Sequence, residues 1–535
     1  MKLITIVLRS LLPCLLMVMQ AHAASGQINA DLERQMNLNP FLLLELDRPA
    51  VKSFYREREH APLWFDEKGR LSRADELIST IRKAHLHGLE PEEYFLGEIE
   101  QRLDRKDIAA RIELEMLLTA ALYRYANDIY SGRLDPFAID ADWHIPNKRL
   151  DTSDLLARLS AQTSITKLLA TLTPRQDGYQ RLKQQLQLLR DIAATGGWRK
   201  LSVSGAPGQV RPGIARLKQR LALEGDLDAR VSAYSNEFDA GLRRALRSYQ
   251  RRHGFAPSGL INAQTLSALN VSIEDRIEQV RLNLERWRWL PRDLGKRHVA
   301  VNMTGFELEI IDDEEVVLTM PVVIGKPFQE TPAMSGMISS LVYNPYWTLT
   351  KNVMWESYIP GQIKDPDYLS KRSIKVFRGW ADPVEVDPKT VDWSALHPKH
   401  NSPYWMRQDP GPGNALGQIK FLFSNPYRIY LHGSPQKHLF ERTVRTYSHG
   451  CIRVKNPAKF AEYLQGGPDS KTRTHIASRL DRAYNEKVVL PRAVPVYLMY
   501  WTAWVDENGQ VNFRDDIYGR DSHLRAKLGE LGSNT

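Results

Sequence analysis

The sequence predicts a multidomain α+β chain, helical in its N-terminal half and mostly β in its C-terminal part. Three observations carry this. Apolar residues recur at helical spacing from about residue 28 to 200, the pattern turns to strict alternation near residue 297, and a stretch rich in Pro, Gly, Trp and Tyr (344–415) interrupts the alternating region. The length of 535 residues suits about three domains. A hydrophobic fraction of 42% with 25% charged residues excludes disorder as the dominant state. No run of 18 apolar residues occurs, which excludes a polytopic helical membrane protein. The net charge of +10 is spread along the chain, so it does not discriminate among anionic partners.

The first segment, 1–23, has the layout of a secretory signal peptide. Lys2 and Arg9 precede the apolar run Leu11 to Met19, and Ala21-His22-Ala23 forms an A-x-A cleavage site. Leu12-Pro13-Cys14 lacks the small residue that a lipoprotein signal places before its cysteine. Cleavage after Ala23 leaves one thiol, Cys451, in an oxidising compartment, where it is a bridge, an inert buried group or a nucleophile. Two cysteines in all exclude a Cys-cluster zinc site.

Residues 24–230 read as a helical scaffold. ADELISTIRKAHLHGL stops at Gly88 with Pro91 beyond it, and a longer helix stops at Gly132 before Pro136. His85 and His87 read as helix-end or surface residues. The Gly-, Ser- and Pro-rich stretch 201–213 reads as a linker.

Residues 231–272 form a compact unit, with Leu242, Leu246 and Tyr249 on one helix face, a turn from Gly254 to Gly259, and a further helix near Gln264–Leu269. The order Tyr-Gln, His-Gly-Phe, Gly-Leu-Ile, Thr-Leu-x-x-Leu-Asn resembles the small three-helix peptidoglycan-binding-like domain. Ser258 stands where that family usually has an acidic residue. A linking helix fills 273–296, with Pro291 closing it.

The β domain is expected over 297–520, followed by a tail, 521–535. Its first three strands turn at Thr304-Gly305 and Asp312–Glu315, others fall at 337–343, 418–423, 427–432 and 449–454, and a hairpin turns about Asn508-Gly509. A loop as long as 344–415 inside a compact domain is usually functional.

The chemistry gathers at Cys451. A thiol becomes a strong nucleophile as thiolate, which nearby His and Arg favour, and His432, His449 and Arg453 all accompany it. Gly450 removes side-chain bulk beside the sulfur, so that a carbonyl carbon can approach and backbone N–H groups can face an oxyanion. If 449–451 is extended, His449 shares a face with Cys451, so spacing leaves both histidines as candidate bases. Tyr430 lies two residues before His432, hence on the same strand face.

The pattern I-x-L-H-G followed by S-H-G-C-I-R resembles the catalytic signature of L,D-transpeptidases (YkuD-type domains). The segments Asn344-Pro345-Tyr346-Trp347, KDPDYL, Val391-Asp392-Trp393, RQDPGPGNALGQIKF and YWTAWVDENGQVNF resemble the large Gram-negative subgroup. That resemblance implies a β-sandwich-like catalytic domain with a capping subdomain at 344–415, periplasmic residence, and peptidoglycan stem peptides and glycan strands as partners, alongside other cell-wall synthesis enzymes. It implies Cys451 as nucleophile, His432 as base, and the Gly433 carbonyl as orienter of that ring. Gly450 then lies in the oxyanion region, with His449 and Ser448 as site architecture. Arg453, His449, Ser448, Tyr430, Arg407, Asn414 and Trp347 are the expected substrate contacts, the arginines because a guanidinium grips carboxylates bidentately. Implied too is a reaction in two halves: Cys451 takes the acyl group from a tetrapeptide, releasing D-alanine, and a diaminopimelate amine then takes it to form a 3→3 cross-link. No metal, organic cofactor or nucleic acid enters, membrane insertion is not expected after signal cleavage, and carbapenems are expected to acylate the same thiol. The alternatives are a hydrolase on the same fold and a non-catalytic wall-binding protein. Papain-like peptidases place Cys before His, and sortases have Thr-Leu-x-Thr before their Cys.

Overall fold

The computed structural model describes residues 28–37, 48–66, 69–161, 164–228, 234–396, 402–482 and 484–533. The expected signal peptide lies outside the described residues. Among them, no helix is long and apolar enough to cross a membrane.

The N-terminal scaffold packs around the helix Ile108–Ser131, which begins at Asp107, whose side chain accepts from Ala110 N. This helix is buried on most of its faces because neighbouring helices, among them Arg48–Glu57 and Ser72–Arg82, surround it in one apolar cluster. The buried Glu115 carboxylate accepts from Tyr55 Oη at 2.7 Å and from the amides of Leu63 and Trp64, pinning the 62–66 segment to that helix. The helix ends at Gly132, with φ +91°, where a Cβ would lie 2.5 Å from Trp289 Nε1. Only glycine lets the scaffold approach the linking helix Ile273–Trp289 so closely. At that contact Glu285 and Arg288, both about 1% exposed, pair at 2.6 Å. His87 closes the short helix Ala84–His87, as expected of a helix-end residue, and its ring bonds Tyr179 Oη at 2.9 Å.

Three expected boundaries are corrected. The 230/231 division cuts through the small module, whose core includes Leu201, Val203, Ile214, Leu217 and Leu221 together with Phe238, Leu242 and Leu246. The expected linker is thereby part of the module: Asn270 accepts from Leu201 N at 2.7 Å and donates to Leu201 O at 2.9 Å. Helix Asp177–Ala194 sits in the core of the C-terminal domain, with Tyr179, Leu182 and Leu186 in the same cluster as the strands. The expected tail is helical, Arg520–Ser533, and its Asp521 accepts from Thr502 Oγ1 at 2.6 Å and pairs with Arg286.

Among the described residues the main sheet has ten strands, of which eight form its frame, with Trp143–His144 and Thr446–Ser448 added to it: β1 (Arg297–Asn302), β2 (Glu307–Asp312), β3 (Glu315–Gly325), β4 (Ala333–Tyr343), β5 (Ile419–Phe423), β6 (Leu431–His432), β7 (Ile452–Val454) and β8 (Glu486–Met499). Their order is β5-β6-β7-β3-β2-β1-β8-β4, and β4 pairs with β5, closing the sheet on itself. Closure leaves the inward residues, such as Val299, Leu308, Val322, Leu341, Phe421 and Ile452, in one dry core. The expected strand at 449–454 is shorter: Gly450, at φ +101°, turns the chain, and pairing starts only at Ile452. The argument that His449 and Cys451 share a strand face therefore fails.

Between β4 and β5 the inserted segment makes its own four-stranded antiparallel sheet, ordered Val384–Val386, Ile374–Arg378, Tyr404–Gln408, Trp347–Thr348. A separate core of Leu349, Met354, Ile359, Val376, Val391, Trp393 and Met406 supports it. One helical turn in this cap, Met354–Tyr358, is of the wide π type.

Candidate active site

The strands β5, β6 and β7 bring the expected residues together. β6 runs parallel to β7 with His432 beside Arg453, and antiparallel to β5 with His432 opposite Lys420. Ile452 N donates to Tyr430 O at 3.2 Å, which sets Cys451 beside Tyr430. Cys451 Sγ donates weakly to Arg428 O at 3.9 Å, and the Tyr430 amide and hydroxyl are close enough to favour a charge on the sulfur. The Tyr430 and His432 rings lie 5.8 Å apart, although the strand expected at 427–432 is confined to Leu431–His432 and Tyr430 precedes it.

His432 is 4% exposed, and its Nδ1 is 2.5 Å from Gly433 O. A carbonyl only accepts, so Nδ1 carries the proton and Nε2 of the neutral ring is left as acceptor. Burial, with Arg453 and Lys420 nearby, pushes His432 down to about 3, so the ring is neutral at working pH. Burial also raises the Cys451 thiol, against the opposing pull of Tyr430, Lys420 and Arg453. This corrects the sequence expectation of a depressed thiol, because desolvation outweighs the cations at this depth. At rest both the thiol and the imidazole are thus neutral.

The turn holding Cys451 is tightly fixed. Ser448 Oγ donates to Cys451 O at 2.5 Å and accepts from Gly450 N at 3.2 Å, while Thr331 Oγ1 donates to Gly450 O at 2.8 Å. A Cβ on Gly450 would press on Ile429 and on Glu330 O at 3.2–3.3 Å. The Gly450 amide is bonded to Ser448, so what Gly450 itself supplies is the backbone shape of this turn. Thr331, fully buried, is in turn tied to the C-terminal helix through Arg520, whose guanidinium reaches Thr331 O and Glu330.

The cap overhangs this turn. His449 Nε2 lies 3.9 Å from Glu356 Oε2, and the same carboxylate accepts from Gln329 Nε2 at 2.8 Å. Tyr358 of the same π-type turn is close enough for its phenol to act on Arg453, which also donates to Gln436 Oε1 at 2.6 Å. The other expected substrate contacts are placed differently. Asn414 is 1% exposed and has its amide engaged with Pro345 O, Asp409 O and Leu416 N, so it pins the base of the cap. Arg407 stacks between Tyr346 and Phe377 and faces Asp409 at 3.7 Å, so an acidic partner is already in place. Trp347 packs edge-on to Tyr358 against the cap core.

Lys420 is the residue that sequence reasoning missed. Its Nζ sits 3.6 Å from the centre of the Tyr430 ring, and it is lowered by burial while interacting with the Cys451 charge. The available signal was a lysine inside the apolar strand segment QIKFLF; its cross-strand partner was not readable locally. Among the described residues no cluster of His, Cys, Asp and Glu is arranged to hold a metal ion.

Comparison with known proteins matches residues 296–484 to the L,D-transpeptidase catalytic domain, 49–186 to a scaffold domain, and 210–269 to the "Putative peptidoglycan binding domain". The chain is similar to a Haemophilus influenzae protein named "Putative L,D-transpeptidase", 31% identical over 269 residues, which is 49% of this chain and 53% of that relative's length. The chain thus spans about half the length of that relative. Among solved structures, an L,D-transpeptidase from Xylanimonas cellulosilytica is 16% identical (56% of this chain, 100% of that one, TM-score 0.19). One from Mycobacterium smegmatis is 14% identical (38% and 58%, TM-score 0.18).

Proposed function

We propose that this chain, whose residues 296–484 match the L,D-transpeptidase catalytic domain, forms 3→3 peptidoglycan cross-links in the periplasm by cysteine acyl transfer. The observation that carries the reading is that adjoining strands bring Lys420, Arg453 and the Cys451 turn to a buried, neutral His432 whose Nδ1 is committed to Gly433 O. Periplasmic residence rests on the signal-peptide pattern of 1–23.

In the proposed first half-reaction, Cys451 Sγ attacks the carbonyl carbon of the third residue of a tetrapeptide stem as its proton passes to His432 Nε2. The oxyanion gains stabilisation from the Tyr430 hydroxyl and the Lys420 ammonium. The tetrahedral centre collapses, the C–N bond breaks, and D-alanine leaves with the proton from His432. In the second half, a diaminopimelate amine attacks the thioester and yields its proton to His432, and the sulfur departs to be reprotonated. Burial beneath the cap favours amine over water at this step.

The test is product analysis by mass spectrometry after incubation with disaccharide tetrapeptides. The reading expects cross-linked dimers with one D-alanine released per link. Tripeptides alone would assign the chain to hydrolysis on the same fold.

A further inference from the structure

A cleft of about 620 Å³ lies between the small helical module and the β domain, away from the thiol. Segment 248–257 of the module forms one wall, and the turn at 304–307, segment 440–445 and the terminal hairpin form the other. Its walls are fixed to each other. Arg514 donates to Arg252 O at 2.5 Å, Arg252 donates to Val511 O at 3.3 Å, and Gln279 donates to the carbonyls of Thr502 and Arg514. The volume falls within the usual range of ligand sites, and a junction between domains is where such sites concentrate.

The lining has a specific polar character. His253 is 4% exposed and stacks on Tyr249 at 3.9 Å, with Nδ1 bonded to Tyr249 O. Its Nε2, an acceptor in that tautomer, is buried with no hydrogen-bond partner. That nitrogen is sealed within the wall, so a ligand would meet the charged groups of the rims instead. The rims carry both signs of charge: Arg251 from the module and Arg442 and Asp515 from the β domain are exposed there. Deeper in, Glu307 lies among Arg445 and Arg514, and burial raises its carboxyl. A surface that offers guanidinium and carboxylate groups side by side suits a zwitterion rather than a polyanion.

We propose that this cleft is a second binding site, taking a zwitterionic stem peptide, with free carboxylates and a free primary amine, on a neighbouring glycan strand. The proposal rests on the peptidoglycan reading above. Segment 440–445 continues into Thr446–Ser448 and the Cys451 turn, and Cys451 follows Arg445 by six positions, at most about 20 Å of chain. A strand held in the cleft therefore keeps its other stems near the thiol, raising their effective concentration there.

The test uses the full chain with Cys451→Ala and fluorescently labelled, uncross-linked glycan chains bearing tetrapeptides. Arg251→Glu/Arg442→Glu should raise Kd about tenfold. A charge-matched control, Lys471→Glu/Arg473→Glu, should leave it unchanged. In the Cys451 background the cleft variant should turn over monomeric disaccharide tetrapeptide within twofold of the parent. An unchanged Kd, an equal loss in the control, or an equal loss of monomer turnover would overturn the proposal. If the parent turns over no tetrapeptide yet binds chains through the cleft, the catalytic reading fails and the cleft stands.

Discussion

Lys420 stands directly opposite His432 across the β5–β6 pair, with its ammonium 3.6 Å from the centre of the Tyr430 ring. Both Lys420 and the Tyr430 phenol are close enough to interact with a charge on the Cys451 sulfur, so a cation, a phenol and the thiol form one group. The charge that develops on sulfur and on the carbonyl oxygen meets a pre-placed cation. Lys420→Met should lower kcat/KM by about tenfold to a hundredfold, with iodoacetamide alkylation of Cys451 shifted to higher pH. Unchanged kinetics and an unchanged alkylation profile would reduce Lys420 to a packing role.

The two histidines should separate. His432→Ala removes the ring whose tautomer Gly433 O fixes, and a loss of about 10²–10⁴ in kcat is expected. His449 faces Glu356 of the cap instead, so His449→Ala should change KM more than kcat. The comparison is made by steady-state kinetics on disaccharide tetrapeptides. An equal loss of kcat at both positions would contradict the assignment of the base.

The thiol should alkylate slowly at neutral pH, with a midpoint above the usual thiol value of about 8.5, because burial raises it. A midpoint near neutrality would contradict a resting neutral pair. His432 adds an acid-side signature. Its folded value of about 3 lies below the unfolded value of about 6.5, so the unfolded chain binds more protons between them. Its contribution to stability is therefore complete above pH 6.5 and is lost as pH falls toward 3. The part of this loss due to His432 should vanish in His432→Gln when melting is followed against pH.

Arg407 should act through the cap and not as a carboxylate clamp. Its stacking between Tyr346 and Phe377 and its neighbour Asp409 predict that Arg407→Ala lowers the melting temperature while changing donor KM less than threefold. Arg453, beside Cys451 and His432, should raise donor KM further when replaced by Ala. A tenfold rise in KM for Arg407→Ala with unchanged melting would restore it as a substrate contact.

Much of this architecture was legible in the chain. The change of apolar period marked the start of β1, and the glycines at 88 and 132 marked helix ends, because local backbone preference decides both. The company of His432, Arg453 and Cys451 was visible as well, since catalytic groups cluster in short segments. Boundaries set by long-range packing were not. Leu201 joins the module through Asn270, and Tyr179 joins the β core, by contacts that no local window contains. The sign of the thiol shift was missed for a related reason. Charged neighbours can be read from a motif, but the depth of burial that outweighs them is a property of the closed sheet and the cap. Asn414 shows the same limit, because a polar residue near a site reads as a ligand contact until its bonds are seen to be spent on backbone.

The most direct test of acyl transfer through Cys451 is the intact mass of the protein after brief mixing with a donor tetrapeptide in the absence of an acceptor amine. The account predicts an adduct equal to the donor minus D-alanine, mapped to Cys451 and absent from Cys451→Ala. Turnover without that adduct in a rapidly quenched sample, or the same adduct on Cys451→Ala, would contradict it.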